Sequence, residues 1–408
     1  MYKIHYLKNG ICLVYEKMPF VKSVSVGIWI KAGSMYETAK ENGISHFIEH
    51  MLFKGTKNRS ARDIAEQMDF AGGHINAYTS RECTCYYTKT LEENLPLSIE
   101  VLSDMYYNSL FKDEDIELER GVIIEEINMY EDSPEDVALD TVMERMWSTN
   151  PLGFQVAGTV ESVGGITRDM MTDYMNRRYT PKNTVISVAG SFDEASLISM
   201  CEEFFSQSAE ETHHLLDEVV FHSGRWTEKK DIEQAHLSIA YPSYDLTSSR
   251  IYSQSLLNNI FGGSMSSRLF QSVRENHGLC YSIYSYTASF PRAGMLGIYA
   301  GLSSDSVGEA YDMIEKEIHS ICSKPVSDYE MEKARSQLRC AIIMSRESVS
   351  SRMSENGKSQ LLLGRVRTDN EILQKVAEVS PADIMEDANF IFHSGEQAVF
   401  ILDREVFI

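Results

Sequence analysis

The sequence predicts an α+β protein made of two similar domains, on the strength of three observations. The chain has 408 residues, and a domain typically holds about 100–200, so two or more are expected. In the first half, short β-branched and aromatic stretches are followed by amphipathic helical stretches. The same order returns in the second half. We therefore predict one domain at residues 1–215 and a second at 216–408.

The first half begins with strands and continues with helices. Residues 24–30, with the sequence VSVGIWI, are typical of a half-buried strand. A helix is predicted from about Gly43 to Phe53. A second helix is predicted over 60–71, where Ser60 is a suitable N-cap and an aspartate follows three residues later. The remaining elements of this half are strands within 75–89 and helices from 95 to about 147.

The second half repeats this order and predicts a duplication. Its expected elements are a strand at 237–241, helices at 252–261 and 267–274, and a strand at 280–288. The segment DIELER at 115–120 resembles DYEMEK at 328–333, which lies 213 positions later (328 − 115). The polar and charged segment 206–231 is the predicted linker, because domain boundaries fall in exposed polar stretches.

Composition narrows the function. The 38 Lys and Arg against 60 Asp and Glu give a net charge of −22; a polyanion would be repelled, so nucleic acid is excluded as a partner. The charge suits cationic partners, or serves solubility alone. Seven cysteines without a C-x-x-C pair favour a reducing compartment. The N-terminal sequence lacks signal or transit features, and no run nears ~18 apolar residues. We predict a cytoplasmic protein that does not contact membranes.

The sharpest motif is His46-Phe47-Ile48-Glu49-His50. Residues four apart on a helix lie one above the other, so both imidazoles can reach one ion. Zn²⁺ accepts neutral imidazoles, and a catalytic zinc site has a third protein ligand and one position left for water. Glu49 lies on the adjoining edge of the same face, where its carboxylate could take a proton from that water. The alternative is a helix that carries two histidines and no metal.

A third ligand is expected from the acidic segment 113–136, which contains eleven acids and one base. Glu119 and Glu126 are seven apart and share one helix face, so only one of them can coordinate directly while the other supports from behind. A buried carboxylate needs a cation, which Glu126 paired with the two histidines would have. The remaining acids are expected to be solvated. Four apolar residues predict that this helix is substantially buried: Val122, Ile123, Ile124 and Ile127.

With these residues the chain resembles the pitrilysin/insulinase family of zinc metallopeptidases, the inverzincins, whose H-x-x-E-H signature reverses the usual order. The family adds a glutamate some 76 residues after the second histidine, and Glu126 lies 76 residues after His50. The resemblance implies that His46, His50 and Glu126 bind zinc, that Glu49 is the general base and that Glu119 supports it. It also implies that each domain is a mostly antiparallel β-sheet with helices packed on one face, in a chain that forms half of a clamshell.

Two further segments resemble this family. Residues 73–82 are similar to the edge strand beside the metal in the β-subunit of mitochondrial processing peptidase, where peptides bind by strand addition. Asn76 and Ala77 are thereby implied as substrate contacts; from the residues alone they could be ordinary strand positions, and the neighbouring His74 is expected at the surface. Arg274 and Tyr281 match the family's Arg and Tyr, seven apart.

The implied roles of this pair are physical. Arg274 would hold the substrate backbone and Tyr281 would stabilise the oxyanion. The alternative is a buried ion pair and a core aromatic. Together with Glu49 and Glu119, these two residues complete the predicted catalytic set.

The second half lacks the metal residues, since the position 213 after Glu126 is Arg339. One zinc ion per chain is therefore expected. The resemblance is to the half-length bacterial form, whose full-length relatives join two halves. A homodimer is implied, in which Arg274 and Tyr281 serve the zinc of the partner in trans.

The function predicted from these features is zinc-dependent endopeptidase activity on short or unfolded peptides in a closed chamber. Two alternatives remain open at this point. One is a non-catalytic structural subunit or peptide-binding partner of a heterodimeric peptidase. The other is a zinc-bound peptide carrier that seldom cleaves.

Overall fold

The computed structural model describes residues 2–208 and 217–404, which form two compact units. Within these residues, the first unit comprises 2–128, 154–208 and 343–367. The second unit comprises 129–153, 217–342 and 368–404. Each unit thus includes one segment from the other half of the chain. The predicted domain boundary at 215/216 lies outside the described residues, as does part of the predicted linker.

Helices make up much of both units. In the described part of the chain they are α1 (Ile44–Leu52), α2 (Ala61–Phe70), α3 (Leu95–Asn108), α4 (Asp113–Glu131), α5 (Pro134–Met146), α6 (Val160–Gly165), α7 (Arg168–Arg178), α8 (Glu194–Phe204), α9 (Ile251–Phe261), α10 (Val307–Ser323), α11 (Asp328–Ser345), α12 (Val349–Leu363), α13 (Asp369–Glu378) and α14 (Pro381–Phe392). A π-helical turn spans Phe270–Asn276. None of the helices described is long and apolar enough to cross a membrane.

Each unit contains one β-sheet. The strands are β1 (Lys3–Tyr6), β2 (Cys12–Lys17), β3 (Ser23–Ile30), β4 (His74–Thr79), β5 (Thr84–Leu91), β6 (Thr184–Gly190), β7 (Gly224–Lys229), β8 (Ala235–Ser243), β9 (Cys280–Ser289), β10 (Gly294–Leu302) and β11 (Ala398–Asp403). The first sheet has the order β1-β2-β6-β3-β5-β4, and the second has the order β7-β11-β8-β10-β9.

The two sheets share one topology. The strands β2 to β6 of the first unit correspond in chain order to β7 to β11 of the second, and both sets take the spatial order first-fifth-second-fourth-third. In both sheets the first and fifth strands pair in parallel, and the remaining pairs are antiparallel. The prediction of an α+β fold with two similar domains, each a mostly antiparallel sheet packed with helices, is confirmed.

The core of the first unit lies on one face of its sheet, and β3 shows how the sequence creates it. Alternate residues of a strand point to opposite faces. Val24, Val26, Ile28 and Ile30 therefore point together into a buried cluster with the apolar residues of α1, α3 and α4. Trp29 points to the opposite face and is also fully buried. A second layer of structure must cover that face.

The cover is α12, which packs on β2, β3 and β6. Met353 lies over Trp29, whose indole Nε1 donates to its sulfur at 3.4 Å. The hydroxyl of Ser187 donates to the carbonyl of Met353 at 2.7 Å. The helix approaches closely because Gly357 faces the indole. Helices thus lie on both faces of this sheet, whereas the family resemblance implied helices on one face only.

Most predicted elements are present with shifts of one or two residues at their ends. Ser60 caps α2 and forms a reciprocal capping box with Asp63. The predicted helix at 267–274 is a short helical segment that continues as the π-helical turn. Of the four apolar residues that predicted a substantially buried α4, Ile123 and Ile127 are buried and Ile124 is partly buried, whereas Val122 is 47% exposed because it points away from the core.

We expect Gly357→Ala to destabilise the protein by about 1–3 kcal/mol through overpacking. A Cβ at this position would lie 2.2 Å from Nε1 of Trp29. This clash outweighs the gain of up to about 1 kcal/mol that alanine brings to a helix interior. The free energy of unfolding in urea is the measurement.

Gly121→Ala in α4 is the matched control, because a Cβ there meets nothing within 4 Å. It should stabilise the protein by up to about 1 kcal/mol. Equal stabilisation by both substitutions would contradict the packing of α12 on Trp29.

Candidate metal centre

The helix α1 begins at a buried carboxylate. Glu37, 2% exposed, accepts hydrogen bonds from the backbone N–H of Gly43 at 2.8 Å and of Ser45 at 2.9 Å, and from the amide of Asn42 at 3.1 Å. An anion at a helix N-terminus satisfies free N–H groups and interacts favourably with the helix dipole. Burial raises the pKa of Glu37, and these hydrogen bonds oppose the rise. Glu37 therefore fixes where α1 starts.

One face of α1 is apolar and the other carries the motif. Ile44, Phe47, Ile48, Met51 and Leu52 are buried in the core of the first unit. This burial sets the rotation of the helix, so the remaining face presents the two histidines and the glutamate of the motif together. The imidazole rings of the two histidines lie 4.7 Å apart between centroids, edge to face.

Glu126 of α4 completes a group of three possible ligands. Its Oε2 lies 3.7 Å from Nε2 of His46 and 3.7 Å from Nε2 of His50. One ligand atom from each residue lies within 4.8 Å of the others, and this is the only such group found in the described part of the chain. Ligands about 2.0–2.2 Å from a tetrahedral ion lie roughly 3.3–3.5 Å apart. Two imidazoles and a carboxylate at these distances fit Zn²⁺.

The protonation state of His46 also suits a metal ligand. Burial, with the neighbouring His50 as the second cause, lowers the pKa of His46 to about 4. The imidazole is therefore neutral at physiological pH, and neutral imidazole is the form that binds metal. Its Nδ1 is buried and has no hydrogen-bond partner among the described residues.

Glu49 is oriented by the neighbouring strand. Its Oε2 accepts a hydrogen bond from the hydroxyl of Thr79 at 2.5 Å. Burial raises the pKa of Glu49, the Thr79 hydrogen bond and His50 oppose the rise, and Glu126 adds to it. A carboxylate with a raised pKa takes up and releases a proton near neutral pH more readily than an ordinary glutamate, which is what a general base requires.

Glu119 lies behind His50. One carboxylate oxygen, Oε2, is 3.0 Å from Nδ1 of His50, and the other, Oε1, forms an ion pair with Nζ of Lys54. The Glu119 residue is 4% exposed. A carboxylate that accepts from the far nitrogen of a ligand imidazole fixes the ring orientation and the tautomer.

The strand β4 forms one edge of the first sheet, next to β5. Its alternation places Ile75, Ala77 and Thr79 on the face that carries Glu49, and Ile75 and Ala77 pack partly buried against the core there. Asn76 points to the other face, is exposed, and its Oδ1 accepts from the backbone N–H of Ala77 at 2.8 Å. His74, which the sequence predicts at the surface, is exposed.

Arg274 and Tyr281 lie in the second unit. The guanidinium of Arg274 lies over two rings, 4.7 Å from the centroid of Phe270 and 5.6 Å from that of Tyr281. Its Nε is 4.0 Å from a carboxylate oxygen of Glu275. Tyr281 is 74% exposed. The alternative interpretation of this pair, a buried ion pair and a core aromatic, does not fit an exposed Tyr281 and a partly exposed Arg274.

The first unit thus brings together the five residues that the sequence singles out around the metal: His46, Glu49, His50, Glu119 and Glu126. Three contributors were not assigned from the sequence. Lys54 lies four residues after His50, which is a helical spacing, so the sequence could have predicted a cation beside the motif. Glu37 and Thr79 reach α1 from a loop and from a strand, and their contacts depend on how those segments pack.

Family models and similar proteins assign the chain to the same family. Residues 12–160 match the family model described as Insulinase (Peptidase family M16), and residues 165–338 match the one described as Peptidase M16 inactive domain. An uncharacterized zinc protease of Bacillus subtilis (strain 168) is 40% identical over 380 residues, 93% of this chain and 93% of that protein. An uncharacterized zinc protease of Rickettsia felis is 36% identical over 396 residues, 96% and 95% of the two chains.

Solved structures share the fold. A protease from Helicobacter pylori superimposes with a TM-score of 0.93 at 19% identity, covering 99% of both chains. A chain of Complex III2 from Candida albicans has a TM-score of 0.87 at 20% identity, covering 98% of this chain and 96% of that one. At these identities the likeness concerns the fold alone.

We expect the zinc-free protein to lose stability as the pH falls from about 6.5 to about 4, in part through His46. The unfolded chain binds this proton near pH 6.5, whereas the folded protein does so only near pH 4. The unfolded state therefore takes up more protons within this window. A tenfold change in proton affinity is worth about 1.4 kcal/mol, so His46 accounts for about 3 kcal/mol.

The measurement is the free energy of unfolding of chelator-treated protein at pH 7 and pH 4.5. His46→Gln should flatten the pH dependence, while His74→Gln, at an exposed position, should leave it unchanged. The same steep dependence in His46→Gln would show that other groups cause it.

Proposed function

Because this chain belongs to the insulinase family of peptidases, family M16, we propose that it is a zinc-dependent endopeptidase acting on short or unfolded peptides. The observation that carries the proposal is the group of His46, His50 and Glu126, with ligand atoms within 4.8 Å of one another. Glu49 lies beside this group on the same helix. We propose one zinc ion per chain, held by these three ligands.

The chemistry that zinc supplies in such a site is Lewis-acid activation of the scissile carbonyl and of a water molecule. Glu49 acts as the general base. With Oε2 held by Thr79, Oε1 accepts a proton from the attacking water and afterwards donates it to the leaving amine. The raised pKa of Glu49 supports both transfers. Glu119 holds His50 in the orientation that presents Nε2 to the ion.

The edge strand β4 is the proposed seat of the substrate. An extended peptide can add to an open sheet edge through backbone hydrogen bonds. Ala77 lies two residues from Thr79, so a peptide paired there reaches Glu49. Asn76 would contact the peptide after its side chain releases the N–H of Ala77, which it occupies in the free protein.

We propose further that the protein acts as a homodimer in the cytoplasm, with the two chains closing a chamber around the peptide. Tyr281 supports this because its side chain is 74% exposed and Arg274 lies over its ring, so the pair is available to a partner. In that arrangement Arg274 binds the substrate backbone and Tyr281 donates to the oxyanion. The free cysteines, six of them buried, suit a reducing compartment.

Glu49→Gln should abolish hydrolysis of a quenched peptide and leave zinc content unchanged. The amide keeps the size of the side chain and cannot take a proton, so kcat should fall by about 10²–10⁴-fold. Glu126→Gln is the matched variant on the ligand side and should lose zinc as well as activity. Cleavage is read with a peptide library and mass spectrometry, and zinc by elemental analysis.

The proposal fails if the zinc-loaded protein leaves a broad peptide library uncut. Zinc binding without cleavage would favour a peptide carrier. Protein that binds peptides and holds no zinc would favour a non-catalytic subunit.

Mixing Glu49→Gln chains with Arg274→Ala chains tests the action in trans. In a mixed dimer one site combines the intact metal residues of one chain with the intact Arg274 of the other. Random exchange makes about half of the dimers mixed, each with one competent site, so about a quarter of the unaltered activity should return. No recovery above the two separate variants, with exchange verified by mass, would contradict the model.

A further inference from the structure

Lys54 is a charged residue next to the metal group that the chemistry above does not use. Its Nζ forms an ion pair with Oε1 of Glu119, whose other oxygen lies 3.0 Å from Nδ1 of His50. We propose that Lys54 is a positioning residue of the metal centre: it holds the carboxylate of Glu119 against His50 and thereby sets the affinity for zinc. This inference rests on the proposed zinc site.

The first step concerns the charge of Glu119. Its side chain is almost completely buried, with 4% of the residue exposed, and a buried carboxylate without a partner is strongly destabilising. Lys54 is the cation that pairs with it, and the side chain of Lys54 is itself only 29% exposed. Among the residues described, Oε1 of this carboxylate is paired with Lys54 and Oε2 with His50.

The second step concerns the position of Lys54. It follows directly on the last turn of α1, where its backbone N–H donates to the carbonyl of Met51 at 3.1 Å. The next residue, Gly55, has φ +114°, and a Cβ there would lie 3.1 Å from the carbonyl of Arg59. The carbonyl of Gly55 accepts from the N–H of Leu110, just before α4. Lys54 is therefore fixed relative to the helix that carries His50.

The third step concerns His50. A carboxylate at Nδ1 selects the tautomer with the proton on Nδ1, so the lone pair of Nε2 is free. Nε2 is the atom that lies 3.7 Å from Oε2 of Glu126. If Lys54 is removed, Oε1 of Glu119 has no partner among the described residues, and the carboxylate can turn away from His50 to reach water. The imidazole then loses its fixed orientation.

The test is the dissociation constant for zinc, measured by competition with a chromogenic chelator. Partners of metal-ligating side chains typically contribute 10–100-fold to metal affinity, and we expect Lys54→Met to weaken zinc binding by about tenfold or more. Lys54→Arg keeps the cation and should remain within a few fold of the unaltered protein. Lys57→Met, at an exposed position three residues later, is the matched control and should have no effect.

A double-mutant cycle separates positioning from a general loss of structure. Glu119→Gln keeps an oxygen that can accept from His50 and removes the charge that Lys54 pairs with. If Lys54 acts through Glu119, Lys54→Met should weaken zinc binding by less than about twofold in the Glu119→Gln background. A full loss in that background would overturn the proposal, and so would unchanged zinc affinity in Lys54→Met.

These outcomes are distinct from failure of the proposed function. Unaltered protein that binds zinc and cleaves no peptide removes the peptidase proposal and leaves the role of Lys54 standing. If the unaltered protein cleaves peptides and Lys54→Met binds zinc with the same affinity, the peptidase proposal stands and the role of Lys54 is removed. Circular dichroism and thermal melting of each variant identify any loss of zinc binding that comes from unfolding. If Lys54→Met unfolds, the zinc affinity of Lys54→Arg decides: the proposal requires it to remain within a few fold of the unaltered protein.

Discussion

The burial of one face of α1 is the constraint on which the metal centre depends. A helix can rotate about its axis, and the burial of five apolar residues of α1 in the core fixes that rotation. Glu37 fixes the translation of the same helix by binding its first N–H groups. The backbone positions of His46 and His50 follow from this packing, and Glu119 then orients the ring of His50 through Nδ1. The buried residues Ile123 and Ile127 do the same for α4, so Glu126 arrives opposite the histidines through packing alone.

This explains how much of the site could be predicted from the sequence. Two spacings are local patterns within a single helix, that of His46 and His50 and that of Glu119 and Glu126. Such patterns can be recognised in the sequence alone. The partners of the site are not local: Thr79 and Glu37 come from separate segments, and their contact with α1 requires the packed structure. Val122 shows the same limit, since an apolar residue within a helix indicates burial only when its direction is known.

The fold as a whole was predictable at the level of its duplication. The order of strands and helices along the chain recurs, and both sheets have the same strand order and the same single parallel pair. What the sequence order could not show is that helices α5 and α12 belong to the units that contain the opposite halves of the chain. The second unit also shows that this topology persists without a metal group, with Arg339 at the position 213 after Glu126. Fold and site are separable properties of the same architecture.

The position of α12 has a consequence for how the protein folds during its synthesis on the ribosome. Chains emerge from the N-terminus, and domains usually fold in that order. The first unit is an exception, because the helix that covers Trp29 and the second face of its sheet lies at Val349–Leu363. Nearly nine-tenths of the 408 residues must be synthesised before that face can be covered. The unit that carries the metal residues therefore completes its fold only after residues 217–342 of the second unit have been synthesised.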